Sequence, residues 1–253
     1  MLLGARVVVV VPAYDEGPRI LRVVSTMPAF VDHVVVVDDA SRDDTRERAK
    51  AALDPRVEVI THAENRGVGA AIATGYRRAL TLTSSPRDAF AVMAGDGQMA
   101  PSDLAGVVGP VARGEADYVK GNRFLAPDVR RVMPWARRWG GAAFSHATSW
   151  ATGLAVTDTQ CGYTALARGA CAKLDLDDLW PRYGYPNDLL GQLARRKLRV
   201  REVPVRPIYG DEKSGLRAWH AATITWLVAR AWARRVTQQR SRVVRGSRGR
   251  ELP

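Results

Sequence analysis

The stretch Val7-Val8-Val9-Val10-Val11 decides the fold class of this chain. Five consecutive β-branched residues without polar alternation are typical of a strand that is buried on both faces of a parallel sheet. Similar apolar runs occur at residues 33–37, 56–60 and 90–93, with helical stretches between them, and a shorter run follows at 118–120. This alternation predicts an α/β fold with a Rossmann-like, mostly parallel sheet flanked by helices.

Polar side chains follow three of the predicted strands at the point where each strand ends. Tyr14 follows the first strand, Asp39 the second and Asp96 the fourth. In open parallel sheets, ligands bind outside the carboxyl ends of the strands. The sequence therefore predicts one binding site that takes residues from three separate strand ends.

The segment Asp96-Gly97-Gln98 offers a carboxylate and an amide oxygen directly after a strand. Oxygen ligands of this kind suit Mg²⁺ or Mn²⁺, and a cation held by few protein oxygens keeps positions open for phosphates. Asp96 could instead cap the helix that begins near Pro101, but Ser102 is equally able to do so. We therefore predict that Asp96 and Gln98 are metal ligands.

Two further features at the strand ends have both a binding and a structural interpretation. Asp39 is placed to accept hydrogen bonds from a ribose or a base, although Asp39 or Ser41 could also cap the next helix. In residues 65–71, two glycines let backbone N–H groups approach an anion, and Arg66 adds positive charge. The same glycines could simply form a tight connection between a strand and a helix.

The second half of the chain departs from the alternation of strands and helices. Helices are predicted at residues 134–155 and 189–196, and a strand at 198–205. A Trp-rich helix is predicted at 216–236. The arginine-rich residues 237–253 are predicted to be a disordered tail, because they are too polar and charged to pack.

The Trp-rich helix mixes tryptophans with arginines, which suits an amphipathic helix that lies on an anionic membrane surface. The alternative is a helix packed on the core of the protein with a solvated basic face. No uninterrupted apolar segment reaches the roughly 18–20 residues needed to span a bilayer. The predicted organisation is thus a main domain at 1–215, a helix at the membrane surface at 216–236 and the tail at 237–253.

Charge and cysteine content narrow the possible partners and compartment. The chain has 253 residues and a net charge of +12, which favours anionic partners. Residues 234–250 carry seven arginines and no acid, but they lack the interleaved aromatics of a nucleic-acid arm, so we predict no nucleic-acid partner. Two cysteines are too few for a disulfide framework, so a reducing compartment is expected. We expect no signal peptide, because residues 1–4 before the first strand are too few to form one.

Several groups of residues resemble, in order and spacing, the motifs of one enzyme family. They are Pro12-x-Tyr14-x-Glu16, Val37-Asp38-Asp39-Ala40-Ser41, Asn65-Arg66-Gly67-x-Gly69-Ala70-Ala71, Asp96-Gly97-Gln98 and Gly121-Asn122-Arg123-Phe124. Over about residues 6–215 the chain resembles the inverting family 2 glycosyltransferases of the GT-A fold. Within them it is similar to the branch of dolichol-phosphate mannosyltransferases and polyprenyl-phosphate glycosyltransferases.

The resemblance implies an enzyme that moves a hexose from a nucleotide sugar (UDP- or GDP-hexose) to a polyprenyl phosphate. It also implies Mg²⁺ or Mn²⁺ at the donor diphosphate. Such an enzyme would be cytoplasmic and peripheral at the inner face of the membrane. Two other functions remain open from the sequence: a family 2 transferase that acts on a soluble or glycan hydroxyl, and an inactive protein that binds nucleotide sugars.

The resemblance also implies roles for individual residues. The nucleoside would contact Pro12, Tyr14, Glu16 and Asp39, and the cation would bind Asp96 and Gln98. Phosphates and acceptor would contact Arg123, either Arg137 or Arg138, and the loop residues Lys213 and Ser214. Asp158 matches an acidic position near the reacting centre.

One position departs from the family pattern, and one residue matters only for a different acceptor. The family usually has Asp-x-Asp-Gly-Gln, whereas Ala94 replaces the first acid in this chain, so a weaker cation site is expected. A hydroxyl acceptor would need a carboxylate base, and Asp188 is the candidate. The structural alternative for Asp188 is an acid in the first turn of a helix, where it favours the dipole.

Overall fold

The computed structural model describes residues 1–127, 135–208 and 218–248 of the chain. The strands are β1 (Val7–Ala13), β2 (His33–Asp38), β3 (Val57–Thr61), β4 (Ala89–Val92), β5 (Tyr118–Asn122), β6 (Thr164–Ala167) and β7 (Val200–Pro204). The helices are α1 (Gly17–Ser25), α2 (Thr45–Lys50), α3 (Val68–Leu82), α4 (Leu104–Ala112), α5 (Trp135–Thr152), α6 (Arg168–Cys171), α7 (Tyr185–Arg195) and α8 (Ala218–Arg248). Short 3₁₀ turns cover Pro101–Asp103 and Arg123–Leu125.

Within these residues, the strands form one seven-stranded sheet in the order β3-β2-β1-β4-β6-β5-β7. All neighbours are parallel except β6, which runs antiparallel to both β4 and β5. The predicted α/β fold with a mostly parallel sheet is therefore confirmed. Strand β6 is not predicted from the sequence, because it has only four residues and forms through pairing with distant segments.

Strand β1 lies at the centre of the core, as its valine run predicts. Val7 to Val11 are completely buried, with β2 on one side and β4 on the other. Helix α3 approaches β1 closely at Gly75, where an added Cβ would collide with Val10. Helix α3 thus packs directly against the central strand of the sheet.

Two of the predicted helix boundaries differ most from the structure. Helix α7 begins at Tyr185 rather than at residue 189, since Gly184 takes a left-handed backbone conformation and Pro186 suits the first turn. Helix α8 continues to Arg248, where the sequence predicts a disordered tail from residue 237. Extending an existing helix needs no new nucleation, and arginine and glutamine are good helix formers.

Helix α8 packs on the protein body through its buried residues Ile224, Leu227 and Ala231, next to α5 and α7. One side of α8 therefore packs on the core of the protein, as the alternative interpretation of this helix predicts. A search of the described residues finds no helix with the length and apolar character needed to cross a membrane.

Candidate functional site

Two adjoining cavities lie at the carboxyl edge of the sheet. The first, of about 290 Å³, is bounded by Tyr14 after β1, Asp39 after β2 and Asp96 after β4. Three separate strand ends thus meet around one cavity, as the sequence predicts. Pro12 and Glu16 also line it.

Asp39 joins the end of β2 to the loop before α3. Its Oδ1 accepts a hydrogen bond from the backbone N–H of Arg66 at 2.9 Å, and its Oδ2 accepts one from Gly67 at 2.7 Å. His62 Nδ1 lies 2.6 Å from Oδ1, and its Nε2 lies 2.9 Å from the hydroxyl of Thr74. His62 is a site residue that the sequence analysis misses, since a lone histidine after a strand carries no spacing pattern.

The loops after β1 and β2 hold each other in an uncommon backbone conformation. Asp15 and Ala40 have φ angles of +54° and +60°, in a region that non-glycine residues rarely adopt. The backbone N–H of Asp15 donates to Ser41 Oγ at 3.0 Å, and that of Arg42 donates to Asp15 Oδ1 at 2.8 Å. These cross-links give the first cavity a preorganised rim.

Asp96 lies at the junction of the two cavities and lines both of them. Its Oδ1 accepts a hydrogen bond from the backbone N–H of Gln98 at 3.0 Å, across Gly97 with φ of +72°. The 3₁₀ turn at Pro101–Asp103 has no side-chain cap, so Asp96 does not serve as one. The capping alternative is therefore not what the structure shows.

The donor set at this junction fits a weakly held divalent cation. It consists of one carboxylate from Asp96 and the amide oxygen of Gln98, and Ala94, which lines both cavities, offers no ligand from its side chain. Among the described residues, no cluster of three or more His, Cys, Asp or Glu side chains could hold a metal ion. Most coordination positions would therefore fall to the phosphates of a substrate.

The second cavity, of about 330 Å³, extends from Asp96 towards α7. Its polar and aromatic lining residues include Gln98, Arg123, Gln160, Tyr183, Tyr185 and Arg206. Two arginines and several aromatic rings in a confined space suit an anionic ligand with an apolar or sugar part.

Arg123 and Asp158 form a buried ion pair at the wall of the second cavity. Arg123 Nε donates to Asp158 Oδ2 at 2.8 Å, and Arg123 Nη2 donates to Oδ1 at 2.9 Å. The Asp158 side chain is only 1% exposed. Burial alone raises the pKa of Asp158, but the hydrogen bonds and charge of Arg123 outweigh it and leave the pKa below the usual value. Arg123 lines the second cavity, whereas Asp158 is not among its described lining residues and contacts the cavity wall through Arg123.

Lys120 is a second residue that the sequence analysis misses. It is completely buried on β5, and its Nζ donates to the carbonyl oxygen of Cys161, which lines the second cavity, at 2.5 Å. Burial lowers the pKa of Lys120, while the nearby Cys161 and Asp158 oppose this shift. A lysine directly after Tyr118 and Val119 in a predicted strand is the feature of the sequence that points to such a residue.

Other predicted site residues lie elsewhere. Arg66 has an exposed side chain and is not among the described residues that line either cavity. Asp188 is buried in the first turn of α7, where its Oδ2 accepts from the backbone N–H of Trp180 at 3.0 Å and burial raises its pKa. Arg137 and Arg138 belong to helix α5, and Lys213 and Ser214 lie outside the described residues.

Comparison with known proteins identifies relatives along most of the chain. Residues 8–174 match the family model described as Glycosyl transferase family 2. The chain is 30% identical over 217 residues to UDP-N-acetylglucosamine–dolichyl-phosphate N-acetylglucosaminyltransferase of Methanococcus voltae, covering 80% of this chain and 85% of that protein. It is also 30% identical over 208 residues to undecaprenyl-phosphate mannosyltransferase of Micrococcus luteus, covering 79% and 82%.

Solved structures share the fold at lower identity. The chain superposes on glucosyl-3-phosphoglycerate synthase of Mycobacterium tuberculosis with a TM-score of 0.66 and 21% identity, covering 91% of this chain and 81% of that one. A second structure of that enzyme, in complex with Mn²⁺, uridine diphosphate and phosphoglyceric acid, gives a TM-score of 0.65 at 23% identity. The fold is therefore the GT-A fold that the sequence resemblance implies.

Proposed function

Because the chain belongs to glycosyl transferase family 2 and is a glycosyltransferase, we propose that it moves a hexose from UDP or GDP to a polyprenyl phosphate, with inversion. The observation that carries the proposal is the position of Asp96, which lines both cavities. A nucleoside in the first cavity and a sugar in the second would leave the diphosphate at Asp96. Two relatives named for dolichyl and undecaprenyl phosphate support a lipid phosphate as acceptor.

The first cavity is suited to the nucleoside. Tyr14 offers an exposed ring for contact with the base or ribose. A carboxylate has about four acceptor sites, and among the described residues the donors at Asp39 are the ring of His62 and the N–H groups of Arg66 and Gly67. The remaining acceptor site of Asp39 can bind a ribose hydroxyl or a base N–H.

The junction is suited to the diphosphate. Asp96 and Gln98 would hold Mg²⁺ or Mn²⁺, which neutralises charge on a departing nucleoside diphosphate. Arg123 and Arg206 both line the second cavity, and their guanidinium groups pair with Asp158 and Asp103. Guanidinium groups held in place by such pairs are preorganised to donate further hydrogen bonds to the negative charge that develops on the leaving group.

The proposed reaction requires no base from the protein. An oxygen of the acceptor phosphate attacks the anomeric carbon while the bond from that carbon to the donor diphosphate breaks. The phosphate monoester is already anionic near neutral pH, so no proton has to be removed from it. A hydroxyl acceptor would need such a base, and Asp188 contacts Trp180 and Arg230 and is not among the described residues that line the two cavities.

We place the enzyme at the cytoplasmic, inner face of the membrane as a peripheral protein, because its proposed acceptor is a membrane lipid. The seven arginines of residues 234–250 add attraction to anionic lipids. The other proposed partners are the nucleotide sugar and the divalent cation. Nucleic acid is not among them.

The test is a transfer assay with purified protein, Mn²⁺, labelled UDP- or GDP-hexose and a short polyprenyl phosphate. We expect label in the organic phase, attached in the inverted anomeric configuration. Asp96→Asn should abolish most of this transfer, whereas Leu53→Ser, at a residue that is 89% exposed, should not change it. Absence of lipid-linked label with every donor would refute the acceptor, and label on a soluble sugar would support the hydroxyl-acceptor alternative. If the protein also binds nucleotide without metal and without donor hydrolysis, it is an inactive binder.

A further inference from the structure

Helix α8 presents an uncharged face to solvent. Every exposed residue that the structure describes between positions 222 and 237 is uncharged, and we call this set the Trp face. Its members are Ala222, Thr225, Trp226, Ala229, Trp232, Ala233 and Thr237. Their spacing of three and four residues places them along one side of the helix.

Trp150 at the end of α5 extends the Trp face. It is 67% exposed and stacks on Trp232, with ring centroids 6.0 Å apart and an interplanar angle of 11°. Trp226 and Trp232 are 52% and 44% exposed. Tryptophan is a highly buried residue on average, so three exposed indoles on adjacent helices form a patch of the kind that marks an interaction site.

The described arginines of α8, at positions 230, 234 and 235, make contacts with the protein, and Arg230 also lies over the Trp226 ring, with its Cζ 5.5 Å from the ring centroid. Arg230 and Arg234 both pair with Asp178, at 2.7 and 2.8 Å. Arg235 Nη1 donates to the carbonyl oxygen of Trp150 at 3.0 Å, at the C-terminal end of α5. The sequence suggests that the basic residues meet the membrane here, whereas these three arginines are used in contacts within the protein.

We propose that the Trp face and Trp150 insert into the interfacial region of a lipid bilayer. Indole rings prefer this region, because one edge is apolar and the N–H can reach water. An uncharged face can enter it without the cost of desolvating a charge. Residues 238–250, which follow the Trp face, contain five arginines and no acid, so the partner must also tolerate or attract positive charge. An anionic bilayer meets both conditions.

The Trp face is directly connected to the second cavity through α8. An added Cβ on Gly184, which lines that cavity, would lie 2.8 Å from Leu227 Cδ1 on the buried side of α8. Since a helix is about 10 Å across, docking by the Trp face would bring the cavity wall within about one helix diameter of the lipid headgroups. This link to the acceptor rests on the proposed function, whereas the docking itself does not.

The experiment measures binding of the full chain to vesicles that contain no polyprenyl phosphate. Phosphatidylcholine vesicles are compared with vesicles that also contain phosphatidylglycerol, using cosedimentation and quenching of tryptophan fluorescence by brominated lipids. We expect binding to both, tighter with phosphatidylglycerol. The double variant Trp150→Ser/Trp232→Ser should bind both at least about tenfold more weakly, and Leu53→Ser serves as the matched exposed control. Circular dichroism of each variant verifies the fold.

Two results would overturn the proposal. The first is binding to phosphatidylglycerol vesicles alone that salt abolishes and the tryptophan variants do not change, because the arginines would then be sufficient. The second is absence of vesicle binding together with a dimer that the double variant converts to a monomer, which would assign the Trp face to a second copy. These vesicles contain neither acceptor nor donor. A failed transfer assay therefore does not contradict vesicle binding by the Trp face, and absence of vesicle binding does not contradict the transfer reaction.

Discussion

Replacing Arg123 by methionine tests the ion pair that supports the wall of the second cavity. Methionine keeps much of the apolar stem but removes two charged hydrogen bonds to Asp158, of 2.8 and 2.9 Å. Asp158 retains the backbone N–H of residue 123, at 3.0 Å. Its carboxylate, 1% exposed, would then carry its charge without the guanidinium.

The expected loss of stability follows from this burial. Removing one partner of a buried ion pair costs about 3–5 kcal/mol. The Arg123 side chain is 26% exposed, so water would partly solvate the remaining carboxylate, and Lys120 lies near it. We therefore expect a loss of about 3 kcal/mol. For a chain of this size, each kcal/mol lowers Tm by roughly 2–4 °C, which gives a decrease of roughly 6–12 °C.

The assay is thermal and urea unfolding of Arg123→Met, of Asp158→Asn and of the double variant. The double variant should be more stable than Arg123→Met, because it no longer contains an uncompensated buried charge. Arg199→Met is the matched control: Arg199 makes the same two-point contact with Asp117, but its side chain is 59% exposed. There we expect a loss of less than about 1 kcal/mol. Equal losses at the two sites, or strict additivity in the double variant, would contradict the reasoning.

The same ion pair predicts how stability depends on pH. Because the pKa of Asp158 is lower in the folded protein than in the unfolded chain, the pair contributes its full stability above the unfolded pKa of about 3.9. This contribution is lost as the pH falls through the lower, folded value. The difference in unfolding free energy between the wild type and Asp158→Asn should therefore shrink below about pH 4. If the difference in unfolding free energy well below pH 4 is the same as at neutral pH, Asp158 does not titrate in this way.

Three further perturbations test the junction, the buried lysine and the loop before α3. Ala94→Asp adds a second carboxylate where both cavities meet. The affinity for Mn²⁺ in the presence of UDP, measured by calorimetry, should therefore rise by about tenfold. An unchanged affinity would show that the metal does not bind at the junction. Lys120→Met leaves the Cys161 carbonyl, on the wall of the second cavity, without its ammonium donor, so we expect the unfolding free energy to fall by about 1–3 kcal/mol and kcat to fall by about tenfold. A lower Tm with unchanged kcat would assign Lys120 a purely structural role. Gly67→Ala requires an alanine to adopt a φ of +95° and places its Cβ 2.6 Å from the carbonyl oxygen of Pro181. The unfolding free energy, measured in urea, should therefore fall by about 1–3 kcal/mol, and UDP should bind more weakly.

The sequence alone determined the architecture and the position of the first cavity. A run of five valines is compatible with a strand buried on both faces, and the repeated runs imply a parallel sheet. Parallel strands end at the same edge, so Tyr14, Asp39 and Asp96 had to lie near one another. These inferences need only the local pattern of residues and the geometry that all parallel sheets share, and neither depends on contacts between distant side chains.

Only the tertiary structure decided which side chains contact one another across that architecture. Arg123 and Asp158 are 35 positions apart, and Lys120 and Cys161 are 41 apart. Their pairing depends on β6, which forms by pairing with β4 on one side and with β5 on the other. The orientation of the described part of α8 likewise follows from Asp178 and the end of α5, which hold Arg230, Arg234 and Arg235, rather than from the periodicity of the helix. Long-range contacts of this kind are set by packing, and no local pattern in the sequence encodes them.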